Sequence, residues 1–349
     1  MPSFFIKRSF ATQAKSAPDL PLLGFFIVTN KEGVPYMPSR TRQLAENSLI
    51  LGISTVLLFL VVNTVIGQLL IFALPVPFIM LAIQRKAKDM IFILAAFTFL
   101  GFIIASLLPG AVMALVFGLI GTVMGLLYKN RTTALPAIVG GAGMWFLLLV
   151  TLLAIVKFAL GIDLIGLMKR AGEFITSDRM IAFIPTSLTK EQLKQQIDLL
   201  VNYFITVLPA LIVMSSFMYS AIIHWLARII GKRLGRNIPA LKPLHEWSFP
   251  RTLLLYYFVC LLIILIAGDS LITTGWGTAV LNVNEILKYL FLIQGLSFVV
   301  FLLVIKGWKK FTPLLIIALF IFSPLANILS LLGIIDLGMG LRHKFETRK

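Results

Sequence analysis

Two long stretches without any charged residue constrain this sequence more than its other features. No Asp, Glu, Lys or Arg occurs in residues 47–84 or in residues 90–128, which are 38 and 39 residues long. One helical crossing of a bilayer needs roughly 20 apolar residues, so each stretch has the length of a tight helical hairpin. A single oversized buried helix is the alternative in each case. The pattern favours the hairpins and therefore an integral membrane protein.

The rest of the sequence continues this pattern. Charged residues make up 13% of the chain, whereas soluble domains carry about 25%. Helices are expected because lipid offers the backbone no hydrogen-bond partners, and the alternation typical of a membrane barrel does not occur. The fold class is an all-α polytopic transmembrane helical bundle with about eight to nine spans. The predicted helices lie near residues 48–66, 67–84, 90–108, 110–128, 136–161, 204–227, 252–268, 286–305 and 311–333.

The basic residues predict how these spans are oriented. If the N-terminus is cytoplasmic, every cytoplasmic segment contains Lys or Arg, whereas the opposite turns at 67–68, 109–110 and 269–284 contain neither. This is the distribution that the positive-inside rule describes. The residues concerned are Arg40, Arg42, Arg85, Lys86, Lys88, Lys129, Arg131, Arg228, Lys232, Arg233, Arg236, Lys242, Arg251, Lys306, Lys309 and Lys310. Their place in short loops makes the lipid bilayer, not nucleic acid, the predicted partner of a chain with net charge +17.

The side on which the C-terminal tail lies is left open by the sequence. Nine crossings from an inside start would leave the tail, with Arg342 and Lys344, outside. Pro324 divides the last apolar run, and a proline there removes one helix hydrogen bond. The run either folds back as two half-helices, which returns the tail inside, or remains one kinked span.

Residues 162–203 form the one sizeable segment predicted at the outer face. Thr189 followed by Gln192 is a capping-box pattern, and Leu193, Ile197 and Val201 continue it at helical spacing. Two interpretations remain open. The segment is either a short amphipathic helix at the outer surface that runs into the sixth crossing and could cap an outward-facing pocket, or a plain lead-in to that crossing.

Residues 1–36 precede a second candidate start at Met37. They contain one weak apolar patch, which is too short to span and lacks a signal-peptide cleavage pattern. Lys31, Glu32 and Gly33 can be encoded by a bacterial ribosome-binding sequence, at the usual distance before an ATG at Met37. Our hypothesis is that Met37 is the initiator and that residues 1–36 are translated upstream sequence or a disordered leader. An organelle transit peptide is the alternative.

From Met37 onward the chain carries an ordered series of recognisable stretches. They are "LPVPFIMLAIQRK" (74–86), "GLIGTVMGLLYK" (118–129), "LHEWSFPR" (244–251), "FLIQGLSFVVFLL" (291–303) and "LGIIDLGMGLR" (332–342). In this order they resemble the YybS family of bacterial multi-pass membrane proteins, which looks like the substrate-binding S-components of energy-coupling-factor transporters. The resemblance implies a bacterial inner-membrane protein. It divides the chain into an S-component-like core at 37–228, a basic cytoplasmic loop at 229–251, and C-terminal helices with a basic tail at 252–349.

In S-components the first helix docks on a transmembrane coupling subunit through alanines four residues apart. Ser48 and Gly52 correspond to these positions and keep the small-xxx-small spacing. The resemblance therefore implies a coupling subunit and an ATPase as candidate partners. A second small-residue face is predicted to serve helix packing, with a pore or substrate path as the alternative. This face consists of Gly118, Gly121 and Gly125.

Polar residues inside the predicted spans are functional candidates, because burying them unpaired in lipid is costly. Gln294, Asn327 and Asn63 are the clearest contacts for a substrate or partner, with interhelical hydrogen bonding as the alternative. Asp269 and Asp336 lie at helix ends and are expected to be solvated or capping. Four basic residues are expected to meet anionic lipid headgroups or a cytoplasmic partner. These are Arg228, Lys232, Arg233 and Arg236.

No motif predicts an enzyme. The three histidines are scattered, and the sequence contains no phosphate loop, dinucleotide fingerprint or nucleophile elbow. We therefore expect no metal and no cofactor. The function we expect is capture or movement of an unknown small solute from the outer face. The alternative is a non-transporting scaffold associated with the cell envelope or cell shape.

Overall fold

The computed structural model describes residues 40–105, 107–129, 132–177, 180, 188–268, 271 and 274–346. The predictions for residues 1–37, Arg131 and Asp269 fall outside these ranges. Every regular element in the described residues is helical, which confirms the all-α fold class. The α-helices are α1 (Arg40–Asn63), α2 (Val76–Ala82), α3 (Ala87–Ile104), α4 (Leu108–Tyr128), α5 (Leu135–Phe158), α6 (Leu164–Ile175), α7 (Lys190–Arg233), α8 (Thr252–Ala267), α9 (Gly275–Ile305), α10 (Thr312–Ile321), α11 (Ser323–Met339) and α12 (Leu341–Glu346). Three short 3-10 helices lie between them, at Ile66–Phe72, Leu244–Glu246 and Lys309–Phe311.

Six of these helices are long and apolar enough to cross a membrane, judged by length and composition. They are α1 from Leu44 onward, α3, α4, α5, α7 and α9, and the shorter apolar segments are Gly67–Ala82, α8 and Pro324–Met339. The chain is therefore a polytopic transmembrane helical bundle. It divides into two units, residues 1–49 and 50–349. Of the first unit the structure describes the beginning of α1, and the second contains the helices discussed below.

The helix predicted at 67–84 is not continuous. The chain forms a 3-10 helix as far as Phe72 and begins again as α2 at Val76, with Pro77 in its first turn. A continuous helix would lose backbone hydrogen bonds at Pro75 and Pro77, whereas proline fits the first turn of a new helix. The buried residues of the new helix, α2, pack against α4.

The glycine face of α4 is filled by its neighbours. A Cβ added at Gly118 would lie 2.6 Å from Leu94 Cδ2, and one at Gly125 would lie 2.6 Å from Ala82 Cβ. At Gly121 the nearest atom is the carbonyl oxygen of Pro75. Small residues let helix backbones approach closely. The face packs against α2 and α3, and atoms of these elements occupy the space that a substrate path along it would need.

The predicted outer segment contains α6 and the first turns of α7. Thr189 caps α7 as the sequence predicts, since its hydroxyl accepts from the Gln192 amide at 3.3 Å and Gln192 Oε1 accepts from the Thr189 amide at 3.0 Å. This helix is 44 residues long, which is about 66 Å at 1.5 Å per residue. Its apolar stripe packs on α6, because a Cβ at Gly172 would lie 3.1 Å from Val201. Both interpretations of the outer segment are compatible with this arrangement.

Basic segments far apart in sequence meet at one end of the bundle, which we call the basic end. Lys129 Nζ donates to the carbonyl oxygen of Arg85 at 3.3 Å. The Arg236 guanidinium, in the loop after α7, donates to the carbonyl oxygen of Met80 near the end of α2. The connections after α2, α4 and α7 therefore lie together, as the orientation rule requires of segments on one side of a membrane.

The last apolar run is divided into α10 and α11 by a break at Phe322. Pro324 restricts the residue before it and has no amide hydrogen, so a helix restarts there more readily than it continues. Ser330 of α11 donates to the Lys288 carbonyl of α9, and Asp336 meets Gln294, so residue numbers rise together along the two helices. The helices run in the same direction. The fold-back alternative is the one the structure adopts, and it returns the tail to the basic end.

Candidate functional site

A buried polar cluster joins α9, α11 and α12 near the basic end. Gln294 is 1% exposed, and its Nε2 donates to Asp336 Oδ2 at 2.6 Å. Arg342 Nε donates to the same carboxylate oxygen at 3.0 Å. The ion pair is well buried, with side-chain exposures of 16% for Arg342 and 3% for Asp336. We call Gln294, Ser297, Asp336 and Arg342 the inner cluster.

The inner cluster also binds the loop between α7 and α8. Arg342 donates to the His245 carbonyl at 3.0 Å and to Ser297 Oγ at 3.0 Å. The Ser297 hydroxyl lies 2.8 Å from the Trp247 carbonyl oxygen, and Gln294 Oε1 accepts from the Phe249 amide at 3.0 Å. Three of the stretches that carry the family resemblance, 244–251, 291–303 and 332–342, thus converge on one network.

The expectation that Asp336 is solvated or capping is wrong. Its carboxylate is buried because α11 ends in a turn that sends the chain back toward it. Gly340 has a φ of +59°, a conformation that favours glycine, and its amide donates to the Asp336 carbonyl at 2.9 Å. The turn places Arg342 six residues further on within reach of the carboxylate.

Close packing of α9 and α11 supports this network. A Cβ at Gly333 would lie 2.8 Å from the Gly295 backbone nitrogen, so the two backbones nearly touch. In the part of the chain that the structure describes, the buried side-chain polar atoms without a hydrogen-bond partner are Thr98 Oγ1, Asn284 Oδ1 and Thr312 Oγ1. None belongs to the inner cluster. A buried polar network in which every member has a hydrogen-bond partner is expected to hold the surrounding helices and loop in place.

A second polar group lies toward the other end of α9, between α9 and α7. Lys288 Nζ donates to Glu285 Oε1 at 2.6 Å, and the Tyr203 hydroxyl of α7 donates to the same oxygen. The side chain of Glu285 is 13% exposed and that of Lys288 is 44% exposed. We call Tyr203, Asn284, Glu285 and Lys288 the outer cluster.

Asn282 fixes α7 beside the outer cluster. Pro209 interrupts the hydrogen bonding of α7, and the Asn282 carboxamide enters this interruption from α9. Its Nδ2 donates to the Thr206 carbonyl at 2.8 Å, and its Oδ1 accepts from the Ala210 amide at 2.7 Å. In a regular helix the Ala210 amide would donate to the Thr206 carbonyl. The side chain therefore replaces one helix bond with two interhelical bonds.

Asn284 is the unsatisfied member of the outer cluster. It is 4% exposed, and its Oδ1 has no hydrogen-bond partner in the described structure. Lys288 lies four residues on, which places both side chains on one face of α9. Leaving a buried acceptor unpaired costs free energy, so the unpaired state of this oxygen needs an explanation. The polar atoms of the inner cluster are paired and need none.

The other predicted contact residues do not join Gln294. Asn63 is exposed at the end of α1, where its Nδ2 donates to the Phe59 carbonyl of its own helix at 2.9 Å. Asn327 is exposed near the beginning of α11. On the first helix, Ser48 is exposed, and a Cβ at Gly52 would meet nothing within 4 Å. Gly52 therefore packs against no described part of this chain.

The four basic residues of the α7 end do not share one environment. Arg228, Lys232 and Arg233 are exposed. Arg236 is partly buried, and its guanidinium is also 3.0 Å from the carboxamide oxygen of Gln84 in the orientation that satisfies both groups. It is a docking contact between the loop and the end of α2, where a cation suits the exposed carbonyl groups of a helix terminus. The expected contact of the four basic residues with headgroups or a cytoplasmic partner stays a prediction.

Sequence reasoning missed Asn282, Asn284 and Glu285 because it placed all three before the helix predicted at 286–305. The α9 helix begins at Gly275, eleven residues before the predicted start at 286. The earlier start of α9 could have been predicted from the spacing of Val280, Asn284, Leu287 and Phe291, which follows one face of a helix. Val280 packs against the buried cluster formed by Cys260, Leu287, Phe291 and Leu337. In the described residues, no group of three or more His, Cys, Asp or Glu side chains could hold a metal ion.

Comparison with known proteins identifies the family. Residues 52–337 match the family model described as "Predicted membrane protein (DUF2232)". The chain belongs to this family. It is also 28% identical over 323 residues to the protein called "Uncharacterized protein YybS" of Bacillus subtilis (strain 168), an alignment that covers 88% of this chain and 99% of the relative. No solved structure matches it. The resemblance to the YybS family is thereby confirmed.

Proposed function

We propose that this membrane protein captures a small polar solute at the end of the bundle opposite the basic end. By the positive-inside rule the basic end faces the cytoplasm of a bacterium, so the solute is taken from outside. The proposal rests on the outer cluster. It combines an ion pair with a buried carboxamide oxygen that has no partner. No catalytic step, metal or cofactor is part of the proposal.

The depth of the outer cluster supports access from that face. The hydrocarbon layer is about 30 Å thick, which corresponds to about 20 helical residues. Ser297 of α9 bonds the loop near the basic end, and Glu285 lies 12 residues before it, about 18 Å along the helix. Glu285 is therefore in the half of the layer that is nearer the opposite face.

Ionisable residues inside a membrane span are by default candidates for a substrate pathway. The ion pair of the inner cluster has a structural role instead, because its Arg342 also donates to the carbonyl oxygen of His245 in the loop. The pair in the outer cluster has one further described bond, from Tyr203, and both bonds fall on Glu285 Oε1. Of these two clusters, the outer one has a buried polar atom without a described partner, Asn284 Oδ1.

A coupling subunit and an ATPase are proposed as partners that supply energy for movement. The open face at Ser48 and Gly52 supports this, because it has the spacing that lets a second helix approach and nothing described in this chain covers Gly52. The same face also supports the second candidate function, a scaffold that binds envelope proteins without transporting a solute. The outer cluster is what favours solute capture.

The test is native mass spectrometry of protein extracted gently in lipid particles, together with a thermal-shift screen against a metabolite library. We expect a small-molecule adduct or a stabilising solute, lost in Glu285→Gln and kept in Glu173→Gln, a control at an exposed carboxylate of α6. No adduct and no stabilising solute, with envelope-synthesis proteins co-purifying instead, would overturn solute capture in favour of the scaffold.

A further inference from the structure

We infer that the solute bound at the outer cluster is a small zwitterion, with a cationic nitrogen and a carboxylate close together, as in an amino acid. This inference rests on the proposed function and names the substrate class of the same site. It is carried by the contact between Glu285 and Lys288 and by the unpaired acceptor on Asn284.

Charge balance favours a ligand with both signs. Glu285 and Lys288 neutralise each other across 2.6 Å within a candidate membrane span. A singly charged ligand that binds one of them separates the pair and leaves the other without a counter-ion, which is unfavourable in a medium of low dielectric constant. A zwitterion replaces both partners at once: its carboxylate pairs with Lys288, and its cationic nitrogen pairs with Glu285. Specificity against singly charged solutes then follows from the charge left unpaired.

The remaining atoms of the outer cluster fit this assignment. Tyr203 and Lys288 both donate to Oε1 of Glu285, so Oε2 is the oxygen that can receive the cationic group of a ligand. The hydroxyl of Tyr203 holds the carboxylate in place from α7. Asn284 Oδ1 is an unpaired acceptor on the face of α9 that carries Lys288, and a primary ammonium has N–H donors beyond the one that pairs with Glu285.

A neutral solute does not use the same features. It could bond Asn284 Oδ1, but it would leave the ion pair closed and gain nothing from either charge. The zwitterion assignment therefore predicts that both charged side chains matter for affinity, and that losing either one has a comparable effect.

The experiment measures binding of a mixture of the twenty 14C-labelled L-amino acids, and separately of 14C-glycine betaine, to the purified full-length protein in nanodiscs. Propionate, n-propylamine and glycerol serve as carboxylate-only, amine-only and neutral competitors. We expect saturable binding of zwitterions that a hundredfold excess of the three competitors does not displace. Lys288→Met and Glu285→Gln should each weaken it at least tenfold. Lys157→Met and Glu173→Gln change exposed charged residues on α5 and α6 and should leave it unchanged.

If either single variant fails to fold, Glu285→Gln/Lys288→Gln keeps a polar pair without charge and should also fail to bind. Saturable binding of propionate, n-propylamine or glycerol that Glu285→Gln abolishes would overturn the zwitterion assignment and leave solute capture standing. Zwitterion binding that survives both single substitutions would overturn the assignment of the site. The absence of binding by every probe overturns the zwitterion inference, and the metabolite screen then decides separately whether solute capture stands.

Discussion

Truncating Arg342 tests whether the inner cluster fastens the C-terminal helices. Arg342→Met keeps most of the length and apolar volume of the side chain but removes the guanidinium, which bonds Asp336, the His245 carbonyl and Ser297. The Asp336 carboxylate, 3% exposed, would keep only the Gln294 amide as a described partner. The variant therefore leaves a buried charge without its counter-ion, and the loss of stability should be large.

The magnitude follows from the geometry of the ion pair. Two unit charges 3.0 Å apart attract by about 5 kcal/mol at an effective dielectric constant of about 20. Measured losses on removing one partner of a buried pair are about 3–5 kcal/mol. We expect Arg342→Met to lower the free energy of unfolding by about 3 kcal/mol, the lower part of this range, because Arg342 is 16% exposed and the site lies at one end of the bundle.

The assay is reversible unfolding in mixed micelles, as sodium dodecyl sulfate is titrated into protein in a mild detergent. Arg228→Met is the control, because Arg228 is exposed. The double variant Asp336→Leu/Arg342→Met replaces both charges with apolar groups and should recover most of the loss. Limited trypsin digestion should cut the loop around Lys242 faster in Arg342→Met. Wild-type stability in Arg342→Met, or a double variant that loses the sum of the two single losses, would refute the fastening role.

Three further predictions concern other parts of the bundle. Asn282→Leu should lower the free energy of unfolding by about 2 kcal/mol, because two interhelical hydrogen bonds are lost. In a double-mutant cycle, Pro209→Ala should reduce this loss, because the Ala210 amide of α7 can then donate to the Thr206 carbonyl. Gly121→Leu, which meets the Pro75 carbonyl, should cost at least about 2 kcal/mol more than Gly143→Leu, which faces open space; equal losses would contradict the packing. In a Cys260→Ser chain, cysteines at Phe345 and Lys232 should react with a membrane-impermeant maleimide from one side and a cysteine at Leu160 from the other. Labelling of position 345 from the side of position 160 would contradict the fold-back of the last run.

The sequence predicted most accurately what depends on solvent and charge. Uncharged stretches as long as 47–84 and 90–128 are stable mainly in an apolar layer, and loops with Lys129 or Arg236 gather where water and headgroups solvate them. The N-cap of α7 at Thr189 was also predictable, because a capping box depends on residues three positions apart. These features are local or follow from bulk properties of the bilayer.

What the sequence did not predict depends on contacts between distant segments. Asp336 was expected to be solvated because nothing local shows that Gly340 turns the chain and returns Arg342 to it. The beginning of α9 was placed too late because Asn282, Asn284 and Glu285 resemble a polar turn until α7 is beside them. Asn282 bonds the backbone of α7 where Pro209 interrupts its hydrogen bonding, and these two residues are 73 positions apart in the sequence.

Burial and polarity alone do not distinguish a polar cluster that holds helices together from one that binds a ligand, and α9 carries a candidate of each kind. Gln294 and Asn284 are both nearly inaccessible carboxamides on its buried face, about 15 Å apart along the axis at 1.5 Å per residue. Every side chain of the inner cluster has described partners, and adding a ligand there would require breaking bonds that hold α11 and the loop in place. At Asn284 a ligand would supply a bond that the chain itself leaves unmade. We therefore propose solute capture at the end of α9 where pairing is incomplete, although Gln294 was the stronger candidate from the sequence.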